Sequence, residues 1–150
     1  MSIEKDIHQS QFKNEYEKAL INLIFTYNWT TDQLKQLFQH EGLTLQQYNI
    51  LRILRGSKTP LSTLQIRERM LDKMSDTSRI VDRIVIKGFV KKTTCKTDKR
   101  LVDVTITAKG LKVLEKLDKH QDKIQNIMIG LTEAEAKTLN KLLDKIRHSN

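Results

Sequence analysis

The chain has 150 residues, enough for one ordinary domain with a buried core, and Lys+Arg 27 against Asp+Glu 18 give a formal net charge of +9. No run approaches the roughly 20 apolar residues that span a bilayer, and the start Met1-Ser2-Ile3-Glu4-Lys5-Asp6 is too acidic and too polar for a signal peptide. A single cysteine, Cys95, excludes an internal disulfide framework, so a cytoplasmic protein with no membrane association is expected.

In chain order, the first predicted helix runs from about Asp6 to Gln39, with Tyr16, Leu20, Leu23, Tyr27, Leu34 and Phe38 on helical spacing and Thr30-Thr31 as a candidate bend or break. A second covers Leu45 to Arg55 and buries Tyr48 and Leu51, with Ile50 and Leu54 as further candidates. Pro60-Leu61 makes a short extended link suited to a sheet edge. A short third helix follows, Thr63 to Met70, then a turn at Leu71-Asp72-Lys73 and a fourth helix ending at Gly88. Two strand-like runs, Phe89–Cys95 and Leu101–Thr107, flank a basic turn. Thr107 can cap a fifth helix carrying Leu111, Leu114, Leu117, Ile124 and Ile127, and a sixth runs from Glu133 to about Arg147. Capping boxes Thr44-x-x-Gln47, Ser62-x-x-Gln65 and Thr132-x-x-Glu135 mark helix starts. Gly42, Gly56, Gly88 and Gly130 stand where left-handed residues would end helices.

The charge is concentrated. Residues 66–100 carry eleven Lys/Arg against five Asp/Glu, a net of +6, whereas the other 115 residues carry a net of only +3. A concentrated excess points to an anionic partner at that segment, nucleic acid before an anionic membrane surface. Within it, the fourth helix sorts into two arcs at 100° per residue. Thr77, Ile80, Val81, Ile84 and Val85 form a core face, and Ser75, Asp76, Ser78, Arg79, Asp82 and Arg83 form the opposite face. Small polar side chains at a helix N-terminus let its backbone approach base edges, and Arg79 can make a bidentate contact to guanine. An isolated helix with such a face is ordinarily only solvated, and serines at a helix start also serve as caps. Asp82 is expected to orient Arg79 or Arg83; Asp76 could accept from cytosine N4.

The second strand alternates, with Val102, Val104 and Ile106 on one side and Asp103, Thr105 and Thr107 on the other. The turn holds Lys96, Lys99 and Arg100 with Asp98 opposing. Lysines also guard sheet edges against pairing, but cations at a hairpin tip beside a polar-faced helix suit the minor groove, and Asp98 is placed to direct the Arg100 guanidinium. Together these elements describe a mainly α chain with a small β-hairpin wing, a winged helix-turn-helix core.

At these residues the chain resembles the MarR family of bacterial transcription regulators. The match runs through Ser75-Asp76-Thr77-Ser78-Arg79-Ile80-Val81-Asp82-Arg83-Ile84, Lys87-Gly88-Phe89-Val90, and Asp98-Lys99-Arg100-Leu101-Val102-Asp103-Val104-Thr105-Ile106-Thr107-Ala108-Lys109-Gly110. Lys99 stands where arginine is commoner in the family and Ile106 where leucine is. The resemblance implies long dimerisation helices flanking the core: an N-terminal helix in 1–42, the DNA-binding region in 43–107, and C-terminal helices in 108–150, all one compact domain. It implies a homodimer on a pseudo-palindromic operator, with the recognition helix in the major groove and Arg100 in the minor groove. It further implies a repressor released by a small-molecule effector, although the family's sensing modes do not transfer automatically.

Cys95 reads as a buried or incidental thiol before a redox switch. His8, His40, His120 and His148 are scattered, without metal-ligand spacing, so no metal or other cofactor is expected. Trp29, Tyr27, Phe38 and Tyr48 could line a ligand cavity but more often such aromatics are core. No phosphate loop, HExxH or nucleophile elbow is present, so the chain is not expected to be an enzyme. The alternative to a reader of double-stranded DNA is a winged-helix protein-interaction or RNA-binding module without operator specificity.

Overall fold

The computed structural model describes residues 2–94 and 102–148. Its contacts divide the chain into two compact units, Met1–Leu114 and Glu115–Asn150.

The first unit opens with a single turn, α1 (Ile3–Asp6), and the long α2 (Glu15–Gln39). The expected continuous helix from Asp6 is therefore broken. His8 takes a left-handed φ of 55°, and Asn14 caps α2 by accepting from Glu17 N at 2.9 Å, which fixes the helix start at Glu15 and not at Asp6, where periodicity alone places it. Glu4 and Lys18, 2.5 Å apart, tie the first turn to α2. The helix does not break at Thr30-Thr31. Their hydroxyls donate to the carbonyls of Thr26 and Tyr27 one turn back, each at 2.7 Å, and the helix continues.

Gly42, at φ 68°, turns the chain into α3 (Leu45–Arg55). The Thr44 capping box forms as expected, as does the Ser62 box that starts α4 (Thr63–Arg69). Between them lies β1 (Leu61–Ser62), the edge strand placed by Pro60. The recognition-type helix α5 (Thr77–Ile86) ends on Gly88 at φ 74°, where Gly88 N donates to Val85 O and Phe89 N to Ile84 O. That paired closure needs a left-handed residue, which explains glycine there. Gly56 and Gly130 do not follow the same rule: Gly56 is right-handed at φ −77°, and Gly130 has no positive φ.

Strands β2 (Val90–Thr94) and β3 (Val102–Ile106) pair antiparallel, Val90 opposite Ile106 and Thr94 opposite Val102. β1 adds to the other side of β3, with Leu61 opposite Val104, giving the order β1-β3-β2. The central strand supplies Val104 to a core completed by Phe38, Ile50, Leu51, Leu61, Ile66, Val81, Ile84 and Leu114, all essentially inaccessible. Each such side chain contributes roughly 1.5–3 kcal/mol by leaving water. Val102, on the same side of the strand as Val104, is 42% exposed at the far end of the hairpin.

The β-sheet is locked to α6 (Ala108–Asp118) by one residue. The Thr107 hydroxyl donates to Gly88 O at 2.7 Å and accepts from Gly110 N at 3.1 Å, capping α6 as its sequence position suggests. Gly110 lies so close to the Phe89 carbonyl that a Cβ would stand 2.2 Å from its oxygen.

In the second unit, the expected fifth helix is interrupted after Asp118; His120 precedes a separate α7 (Gln121–Asn126). Thr132 and Glu135 form the third capping box, Glu135 N to Thr132 Oγ1 at 3.3 Å and Thr132 N to Glu135 Oε2 at 2.8 Å, starting α8 (Glu133–His148). Neither α7 nor α8 has a buried residue, and Met128, Ile129, Leu142 and Ile146 stand in the open.

Candidate nucleic-acid interface

α4 and α5 form the two helices of a helix-turn-helix, and the turn between them is built from local side-chain bonds. Asp72 Oδ1 accepts from Met74 N at 3.0 Å, and the Ser75 hydroxyl donates to Asp72 O at 2.8 Å. This Asx-type turn delivers Asp76 to the N-cap of α5, where its carboxylate accepts from Arg79 N at 3.2 Å. Ser75 and Asp76 thus precede the helix, which begins at Thr77 rather than at Ser75.

The two faces expected of this helix are present. Thr77, Val81 and Ile84 are buried, Ile80 and Val85 half-buried, while Ser78, Arg79, Asp82 and Arg83 are exposed. Asp76 does more than cap: its second oxygen lies 3.2 Å from Arg79 Nε, so one carboxylate holds both the backbone and the guanidinium of Arg79. Arg79 nonetheless remains 81% exposed, its outer nitrogens directed by this pair but not covered. The partner expected for Asp82 is corrected. Instead of Arg79 or Arg83, its carboxylate pairs with the Lys92 ammonium on β2. That pair lies between a helix and a strand ten residues apart in sequence, which helical spacing cannot reveal.

The start of α4 meets the start of α5 around a cleft of about 380 Å³. Thr63, Leu64 and Arg67 line one wall, and Met74, Ser75, Asp76 and Ser78 the other. Leu64 and Met74, 64% and 90% exposed, were not singled out by sequence reading, because their apolar character suggests core. The wing residues Lys96, Asp98, Lys99 and Arg100, together with Cys95, lie outside the described residues.

A second cavity, of about 1050 Å³, opens beside the same unit. Its walls include Tyr27, Leu34 and Lys35 of α2, Gly42 to Leu45 of the following turn, Asn49 of α3, and Met70 to Lys73 leading toward α5. Of the four aromatic candidates only Tyr27 lines it. Phe38 and Tyr48 stack on each other, 4.1 Å between ring centroids, at the edge of the core, and Trp29 is half exposed. Among the described residues no cluster of His, Cys, Asp or Glu could hold a metal ion, and no helix is long and apolar enough to cross a membrane.

A two-helix reading head with a buried back, an exposed arginine held at its N-terminus and an antiparallel hairpin beside it define the class: a DNA-binding winged helix-turn-helix transcription regulator. Residues 41–101 match the profile of the MarR family. The chain is 28% identical over 120 residues to the HTH-type transcriptional repressor IacR of Pseudomonas putida, covering 79% of this chain and 71% of that one. It is 29% identical over 129 residues to the multiple antibiotic resistance protein MarR of Salmonella typhimurium, covering 83% and 88%. A mutant MarR from E. coli, solved in complex with operator DNA, superimposes with a TM-score of 0.79 at 25% identity, over 91% of this chain and 99% of that one. The match over residues 41–101 and these relatives support a MarR family regulator.

Proposed function

We propose that this regulator is a homodimeric repressor that reads a pseudo-palindromic operator in double-stranded DNA and is released by a small ligand. The observation that carries the reading is Arg79, exposed at the N-terminal turn of a helix whose other face is buried and aimed by the Asp76 carboxylate. Arg79 makes the base contact in the major groove; Ser75, Ser78 and Arg83 approach the flanking backbone, and Asp76 serves as orienter. The wing residues Lys96, Lys99 and Arg100, with Asp98 directing the last, enter the adjacent minor groove. Residues 1–42 and 108–150 supply the dimer interface around the 43–107 reading region. In support, α2 exposes Tyr16, Leu20, Ile24 and Tyr27, and α8 exposes Leu142 and Ile146, large apolar side chains for which a monomer offers no cover. The protein acts in the cytoplasm, where its DNA lies, and the cavity bordered by Tyr27, Asn49 and Leu71 receives the effector.

Selection of genomic fragments by the purified full chain, followed by binding titrations on the best duplex, tests the reading. The expected preference over random duplex is roughly 10³-fold or more. Arg79→Ala should relax base preference at one position of each half-site, and Arg100→Ala should weaken operator binding while the dimer persists. Equal, purely salt-dependent affinity for every duplex would sink the operator reading and favour a module without sequence specificity.

A further inference from the structure

Two amide side chains of α3, Gln47 and Asn49, are buried, at 4% and 8% exposure. A buried amide needs partners, and here each partner belongs to one end of the segment that carries the recognition helix. Asn49 Oδ1 accepts from the backbone N–H of Leu71 at 2.9 Å, five residues before the N-cap of α5. Gln47 Oε1 accepts from Lys87 Nζ at 2.9 Å, and Lys87 is the C-cap residue of the same helix. The Lys87 ammonium also donates to Gly42 O at 2.6 Å. Gln47 Oε1 is shared with the capping box, accepting from Thr44 N at 3.3 Å, so the start of α3 and the end of α5 meet at one oxygen.

Between these two ties α5 is held against the core by Val81 and Ile84. Apolar packing fixes how close two helices lie, but it resists small slides and rotations less sharply than directional hydrogen bonds do. The ties set the helix along its axis, and both reach the large cavity: Asn49 and Leu71 line it, as do Gly42 and Thr44.

We propose that Asn49 and Lys87 are positioning residues which fix the recognition helix for base reading, and that occupancy of the cavity is transmitted to DNA through these two ties. The second half rests on the effector role given to the cavity above; the first does not. A group filling the cavity presses on the 42–44 turn and on Leu71, the two places where the ties end. Stretching either bond leaves a buried acceptor or donor unmet and frees one end of α5 to shift. Base contacts require placement within a fraction of an ångström, whereas phosphate contacts through long cationic side chains adapt. The loss therefore falls on selectivity before total binding.

The test uses the full chain with Asn49→Leu, which keeps the shape and removes the acceptor, and Lys87→Met, which keeps the stem and removes the ammonium. Each should lower the ratio of operator to random-duplex affinity about tenfold while random-duplex affinity stays within twofold. Asn49→Asp and Lys87→Arg, which retain the acceptor and the donor, should restore most of the ratio. Amide hydrogen exchange in the absence of DNA should quicken at Leu71 and through residues 72–78 in Asn49→Leu, and at residues 42–47 in Lys87→Met. Thr31→Trp, which fills the cavity from the α2 wall, should cut the ratio in the otherwise native chain and have little further effect beside Asn49→Leu. An unchanged ratio in both tie variants, or parallel losses on operator and random duplex, overturns the positioning role. Equal effects of Thr31→Trp in the two backgrounds overturn the transmission. If no duplex is selected at all, the operator reading fails instead, and unchanged exchange at Leu71 and at 42–47 still refutes the ties.

Discussion

Gly110→Ala separates packing from helix propensity more sharply than any other single change in the chain. Alanine in the first turns of a helix would ordinarily stabilise by about 1 kcal/mol relative to glycine. At this position the added Cβ would stand 2.2 Å from Phe89 O, 2.8 Å from Ile106 Cγ1 and 3.1 Å from Phe89 C. The two nearest atoms lie below any ordinary van der Waals separation, and the worst is backbone, not the end of a flexible side chain. Relief requires α6 and the start of β2 to part by about 1 Å, since carbon needs roughly 3.3 Å from a carbonyl oxygen even in a favourable contact. The same oxygen accepts from Thr107 N at 3.0 Å and from the Thr107 hydroxyl at 3.1 Å, so parting the elements strains the bonds that fasten the sheet to α6. Overpacking costs about 1–3 kcal/mol, and each weakened hydrogen bond roughly 0.5–1.5 kcal/mol more. Less the propensity gain, the net destabilisation is about 1–5 kcal/mol, or some 2–20 °C in Tm for a chain of this size. Urea unfolding followed by circular dichroism measures it directly. Gly130→Ala is the control, because a Cβ there meets nothing within 4 Å, and its stability should stay level or rise by a few tenths of a kcal/mol. A Gly110→Ala midpoint at or above the native one would refute the close approach of α6 to the Phe89 carbonyl.

Asp76→Ala should lower stability by about 1 kcal/mol through loss of the α5 N-cap and also reduce operator selectivity, because Arg79 loses its guide; Asp76→Asn, which keeps the cap but weakens the ion pair, should recover stability more than selectivity in paired unfolding and binding titrations. The exposed Asp82–Lys92 pair should be worth under about 1 kcal/mol, so a double-mutant cycle with Asp82→Asn and Lys92→Met that returned a coupling of several kcal/mol would show that it is no ordinary surface pair. Glu4 is held at a pKa of about 2, chiefly by its hydrogen bond with the Lys18 ammonium and then by its own backbone N–H and the Ser2 hydroxyl. Because the folded value lies below the ordinary 4.5, the tie between α1 and α2 is fully present above pH 4.5 and lost as pH falls toward 2. A carboxyl NMR titration should place the Glu4 midpoint well below that of a free glutamate, and Lys18→Met should raise it; a native midpoint near 4.5 would remove the tie.

What the sequence made legible was chemistry that closes within one turn of backbone or repeats with a fixed period. The Thr44, Ser62 and Thr132 boxes form because donor and acceptor are three residues apart and need no tertiary partner. The buried and exposed faces of α5 follow from its 3.6-residue repeat. The breaks near His8 and His120 were hidden, since neither is marked by proline or glycine and the apolar spacing runs on through both. The ties of Asn49 to Leu71 and of Lys87 to Gly42 span 22 and 45 residues, distances at which periodicity carries no information. Their one sequence signal was Gln47 and Asn49 standing among the apolar residues Leu45, Tyr48, Ile50 and Leu51 of one helix, which implies partners without naming them.

The carboxylates of the cationic segment pose the remaining difficulty, because each should repel a phosphate backbone. The structure resolves it by where those charges go. Asp76 stands at a helix N-terminus, where the backbone N–H groups favour an anion, and holds Arg79 with its other oxygen. Asp82 is matched by Lys92, and Asp72 is turned toward its own loop, accepting from Met74 N. Acids paired within 4 Å of a cation present little net field a Debye length away, about 8 Å at physiological salt, whereas Asp72 keeps its charge and directs it at its own loop. Among the described residues Arg67 and Arg83 are exposed and have no carboxylate partner, so their charge is left uncompensated on this face. Asp76 and Asp72 therefore act as fixings for Arg79 and for the loop between α4 and α5. This division of labour accounts for Asp72, Asp76 and Asp82, three of the carboxylates in a stretch of 35 residues whose net charge is still +6.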